Sequence, residues 1–137
     1  MTQEYVIVGA ARTAIGRYGG TLKNVSSGRL ASTVIQEAIK RAGITPEQVD
    51  EVILGEVRQQ TDESNVARVA SLRAGIPETA PAFTINRLCA SGMQALDSAL
   101  ANIQRGKADL VLAGGTDALS HAPLLFSDAM TLWFSRW

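Results

Sequence analysis

Short unbroken apolar runs alternate along this chain with stretches of helical period. Tyr5-Val6-Ile7-Val8 is β-branched and ends at Gly9, and Val52-Ile53-Leu54 ends at Gly55. Both have the composition of strands buried on two faces, as in a parallel sheet. Phe83-Thr84-Ile85 gives a third strand, and Leu110-Val111-Leu112-Ala113, closed by Gly114-Gly115, a fourth. Between the first two, Leu30, Val34, Ile35, Ala38, Ile39 and Ala42 form one apolar stripe, while Gln36, Glu37, Lys40 and Arg41 lie off it. That pattern predicts a helix from about Ser27 to Ala42, stopped by Gly43. Thr45-Pro46-Glu47-Gln48 carries capping-box residues and predicts a single turn. A second helix is expected from Asn65 to Ala74, with Val66, Val69 and Ala70 near one face, Gly75 as its stop and Pro77 preventing a restart. A third is expected from Ser91 to Arg105. There Met93, Ala95, Leu96, Ala99, Leu100, Ala101 and Ile103 cover most of the circumference, which predicts packing on more than one side.

Strands alternating with helices imply an α/β fold with parallel pairing and right-handed crossovers, in the order βαβαβαβ. Ala10 to Asn24 holds three glycines and no helical period, and reads as a loop. Arg12, Arg17 and Lys23 in it suit either an anionic ligand or an ordinary solvated surface. From Thr116 the chain changes character. Both tryptophans and two of the three phenylalanines lie between Phe126 and Trp137, where Asp128 to Arg136 has an amphipathic pattern. Exposed aromatics at the end of a short chain need a partner surface or more polypeptide to cover them, so a truncated chain is expected.

Composition narrows the classes. Of 137 residues, 46% are apolar, and 13 basic side chains balance 13 acidic ones. Such a globular, neutral chain gives no argument for nucleic acid or a membrane surface as partner. No run reaches the ~18 apolar residues of a membrane span, and Met1-Thr2-Gln3-Glu4 does not open a secretory signal. A single cysteine excludes an internal disulfide and a multi-cysteine metal site, and the cytoplasm is the expected compartment.

That cysteine, Cys89, stands where the third strand turns into the third helix. Unpaired N–H groups and the positive end of a helix dipole favour thiolate, which is the nucleophile. Ala90, Ser91 and Gly92 leave room beside the sulfur. A small buried hydrophobe is the usual fate of a lone cysteine. In open parallel sheets, however, functional residues gather beyond the carboxyl ends of strands, where Cys89 lies. His121, the only histidine, sits in a loop; it suits a base for Cys89, but an ordinary loop histidine is the commoner case. No phosphate-cradling glycine pattern is complete, and Asp62 and Glu63 have no companions that would make a metal site.

Asn86-Arg87-Leu88-Cys89-Ala90-Ser91-Gly92-Met93-Gln94-Ala95-Leu96 resembles the acyl-enzyme signature of the thiolases, a family of acyl-CoA C-acyltransferases. Val8 to Gly20 is similar to that family's opening strand and loop, Val49 to Val57 to its second strand, and Ala113 to Ser120 to its glycine-glycine-x-glutamate-x-methionine-serine stretch. Asp117 replaces the glutamate and Leu119 the methionine. The resemblance runs from Tyr5 to about Pro123. It implies a thiolase N-terminal α/β half over residues 1–118, with 119–137 the truncated start of a loop region that contacts CoA. The full family fold is a five-layer αβαβα, with the helix after Cys89 buried between two sheets.

By the same resemblance, Cys89 is the nucleophile that takes an acyl group from acyl-CoA, with CoA or acetyl-CoA as substrate, no bound cofactor and no metal. The family's activating histidine, its oxyanion-hole asparagine and its second cysteine belong to a second half whose motifs are not in this sequence. Each such element is worth roughly 10²–10⁴-fold in rate, so little or no activity is expected of this chain alone. A homo-oligomer or a complementary thiolase chain is the expected partner, which is also the alternative reading: a non-catalytic module that associates with another thiolase chain. A cysteine redox enzyme is a weaker reading, because no resolving cysteine is present.

Overall fold

The computed structural model describes residues 4–137. Three parallel strands form one sheet: β1 (Glu51–Gly55), β2 (Ala82–Ile85) and β3 (Val111–Gly115), in the order β2-β1-β3. The helices are α1 (Ser27–Ala42), α2 (Val66–Arg73), α3 (Ser91–Gln104) and α4 (Asp128–Phe134). Alternate residues of β1 point to opposite faces. Val52 and Leu54 join Ile35, Ile39, Val66 and Ala70 in the larger core beneath α1 and α2. Ile53 faces the other way and is covered by Ala95 and Ala99 of α3. The result is an α/β/α arrangement of three layers, with the central strand buried on both sides as its composition predicts.

Local chemistry sets the helix ends. Ser26 Oγ accepts from Arg29 N–H at 3.4 Å and starts α1; Gly43, at φ 67°, ends it by donating its N–H to the carbonyls of Ile39 and Lys40. Asn65 Oδ1 accepts from Arg68 N–H at 3.2 Å at the head of α2. The turn expected after Thr45 is a 3₁₀ turn over Pro46–Gln48, and Gln48 Oε1 accepts from Thr45 N–H at 2.8 Å.

Two expectations change. Tyr5-Val6-Ile7-Val8 is not a fourth strand: it has no ladder partner, and Val6 and Ile7 are 76% and 81% exposed. An apolar extended run becomes a strand only by pairing, and no described strand pairs with this one. The segment instead passes the end of α1, where Arg41 Nη1 donates to Ala10 C=O at 3.2 Å. Gly9 fits there because a Cβ would stand 2.9 Å from the Ala38 carbonyl oxygen. Second, α3 is covered on one side only. Ala95 and Ala99 lie on the sheet, while Met93 is 72% exposed and Leu96 and Leu100 also face outward. The sheet has one face to offer this helix, and no other described element covers the opposite side. The tail helix is α4, with every residue exposed and its aromatics packed on one another, Trp133 against Phe134 at 5.0 Å between ring centres.

Candidate active site around Cys89

The chain leaves β2 at Ile85, turns through Asn86 to Ala90 and enters α3 at Ser91. Glycine makes this junction possible. A Cβ on Gly55 would lie 2.6 Å from the Ser91 carbonyl carbon and 2.8 Å from Gly92 N, and one on Gly115 would lie 3.1 Å from the Gly55 carbonyl oxygen. Two strand ends without side chains thus let the first turn of α3 rest directly on the sheet.

Within the turn, Asn86 Oδ1 accepts from Leu88 N–H at 3.0 Å, and Asn86 Nδ2 donates to Val57 C=O at 3.1 Å. Ala90 N–H donates to Arg87 C=O at 3.1 Å, and Ser91 N–H to Leu88 C=O at 3.0 Å. Leu88 is the only non-glycine residue with positive φ among those described, at 51°. A side chain held in that region costs of order 1–3 kcal/mol, which the surrounding bonds must offset. The strain falls on the residue before the nucleophile candidate. Cys89 is a free, exposed thiol, so the buried-hydrophobe alternative does not describe it. No side chain caps α3, which leaves N–H groups of its first turn open to negative charge arising at Cys89.

A second layer of polar groups ties this turn to the other strand ends. Asp117 Oδ1 accepts from Arg58 N–H at 2.9 Å, and both carboxylate oxygens accept from Val57 N–H at 3.2 Å. Ser27 Oγ, fully buried at the start of α1, accepts from Ala118 N–H at 3.0 Å and from Gln60 Nε2 at 3.3 Å. Glu63 is buried, yet accepts from Gly28 N–H at 2.7 Å and Ser26 Oγ at 3.1 Å and pairs with Arg73. Burial alone would raise its pKa; the Gly28 N–H, Arg73 and Ser26 outweigh that and hold it below the usual value. Glu56 is the opposite case. It is fully buried next to Gly55, and neither carboxylate oxygen has a hydrogen-bond partner among the described residues. Burial pushes its pKa up to about 7, with Asp117 and Glu63 adding to the rise and the Ser27 hydroxyl opposing it.

His121 is not joined to Cys89 by any hydrogen bond among the described residues. It ends a 3₁₀ turn over Leu119–His121, with Nε2 buried and unpaired. Arg12 and Arg17 stand together at a cavity of about 380 Å³ whose other walls include Leu30, Val34 and Asp117. Arg12 Nη1 donates to the neighbouring Thr13 carbonyl at 2.9 Å. Asp62 and Glu63 form no metal-holding cluster, and no helix is long and apolar enough to cross a membrane, among the described residues. Sequence reasoning singled out Cys89 but missed Ser91, Asn86 and Asp117 as the groups that fix its turn. The serine and asparagine two and three residues from the cysteine are turn-forming types and were the available signal. Nothing local marked Glu56.

Residues 5–133 match the model of the thiolase N-terminal domain. A Syntrophomonas wolfei protein named acetyl-CoA acetyltransferase is 50% identical over 129 residues, which cover 94% of this chain and 33% of that protein. A Staphylococcus aureus protein named probable acetyl-CoA acyltransferase is 42% identical over 124 residues, 90% of this chain and 32% of the relative. Among solved structures, the Bacillus anthracis acetyl-CoA acetyltransferase aligns with a TM-score of 0.87 and 51% identity, over 90% of this chain and 32% of that one. The Acat5 thiolase from Ascaris suum in complex with coenzyme A aligns with a TM-score of 0.86 and 34% identity, over 89% and 32%. The chain spans about a third of the length of the curated relatives it matches.

Proposed function

Because the chain belongs to the thiolase family through its N-terminal domain, we propose that Cys89 is the nucleophile that takes an acyl group from acyl-CoA, in the condensation or thiolysis of a 3-ketoacyl-CoA. The observation that carries this reading is an exposed thiol on a strained turn, between the carboxyl ends of the strands and the uncapped start of α3. The Cys89 thiolate attacks the thioester carbonyl; a new C–S bond forms, the old one breaks, and CoA leaves as its thiolate. The oxyanion formed in between is stabilised by N–H donors aimed at it, and α3 offers such groups. No hydrogen bond joins His121 to Cys89 among the described residues; in this reading the proton acceptor and further oxyanion donors are those of the thiolase family's second half. In this reading the domain runs to residue 118, residues 119–137 begin a loop region that approaches CoA, and the chain alone turns over slowly or not at all.

The test is incubation of the folded chain with acetyl-CoA, followed by mass spectrometry with Cys89→Ala as control. A Cys89-dependent acetyl adduct is expected. Its absence from a sample with native helix content would sink the proposal for this chain.

One observation favours a second reading, an assembly module in a cytoplasmic homo-oligomer or with a complementary thiolase chain. Met93, Leu96 and Leu100 expose an apolar stripe of α3, and Val6 to Val8 expose another. Faces of this kind mark interaction surfaces. A well-folded monomer at all concentrations in light scattering would count against it.

A further inference from the structure

We propose that Ser91 is a positioning residue for Cys89, its hydroxyl closing the turn that presents the thiol. Ser91 is 4% exposed. Its Oγ accepts from Arg87 N–H at 2.8 Å and donates to Leu88 C=O at 2.6 Å. The same carbonyl accepts Ser91 N–H at 3.0 Å. One side chain therefore satisfies both backbone groups that flank the peptide between Arg87 and Leu88, and it does so across Cys89. Leu88, the residue so clasped, is the one at φ 51°. Without the hydroxyl, the Arg87 N–H loses its partner, and the turn loses the bonds that oppose the strain.

Ser91 also packs closely on the end of β1. The Ser91 Cβ lies 2.7 Å from where a Cβ on Gly55 would be. The close approach is possible because position 55 is glycine, and serine supplies both a donor and an acceptor at this contact. Alanine fits the space but not the bonds, which makes Ser91→Ala a clean probe. The clasp acts on the backbone and on the attitude of the sulfur to the first turn of α3; it touches no substrate. Its consequence for acyl transfer rests on the reading of Cys89 given above, but the geometry does not.

Cys89 is the sole cysteine, so iodoacetamide reports on it alone. The experiment measures the second-order alkylation rate of the full chain as wild type, Ser91→Ala, Ser91→Thr and Ser98→Ala, each checked for helix content. Ser91→Ala is expected to slow alkylation at least threefold. Ser98→Ala, two turns further along α3, should stay within the wild-type error, and Ser91→Thr, which keeps the hydroxyl, should regain most of the rate. Equal rates for wild type and Ser91→Ala would overturn the proposal. If Ser91→Ala does not fold, amide exchange in the wild type decides: an Arg87 N–H exchanging at least tenfold more slowly than the exposed loop amides supports the clasp, and one exchanging like them overturns it. Failure of acetyl-CoA to label wild-type Cys89 sinks the acyl-acceptor reading and leaves the alkylation contrast intact.

Discussion

Asp117 and Asn86 hold one residue, Val57, from its two sides: the Asp117 carboxylate accepts the Val57 N–H at 3.2 Å, and Asn86 Nδ2 donates to the Val57 carbonyl at 3.1 Å. The segment after β3 is thereby fastened to the turn that carries Cys89 through the segment after β1. Asp117→Ala should leave two N–H groups unpaired at once. A loss of about 1–2 kcal/mol is expected, held to that level by the solvent exposure of the carboxylate. Thermal melts of the variant and of Asp117→Asn, which keeps one acceptor, measure it, and the asparagine variant should fall in between.

Glu56 makes stability depend on pH. Its folded pKa of about 7 lies above the ordinary 4.5, so the fold favours the protonated form. The contribution is fully present below pH 4.5 and is lost as pH rises through 7. Glu63, whose pKa is lowered, acts in the opposite sense and loses its contribution as pH falls below the usual carboxylate range. Comparison with Glu56→Gln isolates the first effect. Between pH 4.5 and 7.5, the wild-type denaturation midpoint should fall relative to that of the variant, and parallel curves would refute the assignment.

Gly55→Ala forces a Cβ to within 2.6 Å of the Ser91 backbone. Backbone cannot yield as a flexible side chain does, so α3 must lift from the strand ends, at a cost of about 1–3 kcal/mol. The variant should both melt lower and label more slowly at Cys89.

Leu88→Gly separates stability from reactivity. Leu88 is mostly exposed, so little packing is lost, and glycine accepts φ 51° without penalty. The greater freedom of the unfolded chain offsets part of the gain. The melting temperature should change by less than the equivalent of about 1 kcal/mol. Cys89 labelling, in contrast, should slow, because the turn is no longer restricted to one conformation.

What was legible in the sequence was what neighbouring residues decide. Ser26 and Gly43 fix α1 at the predicted Ser27–Ala42 because a cap acts within one turn. The apolar runs at Val52, Phe83 and Leu110 become parallel strands, as their composition requires. Tyr5 to Val8 has the same local character and is not paired, because pairing depends on a neighbour that a single segment cannot specify. The same holds for α3. Its apolar circumference was visible, but which side would be covered was not. At the site, Cys89 stood out by chemistry and by its place after a strand. Asp117 did not, since its partners Val57 and Arg58 lie about 60 residues away. Glu56 gave no sign either, because Ser27 and Asp117, which act on its carboxyl group, come from distant parts of the chain.

The exposed stripe of α3 begins at Met93, one helical turn after Cys89. A second copy or a longer stretch of polypeptide settled on that stripe is therefore expected to restrict the approach to the sulfur. Assembly and thiol accessibility are then linked quantities. A dilution series read by alkylation would trace the association equilibrium, with Cys89 serving as a native chemical label of the occupied state.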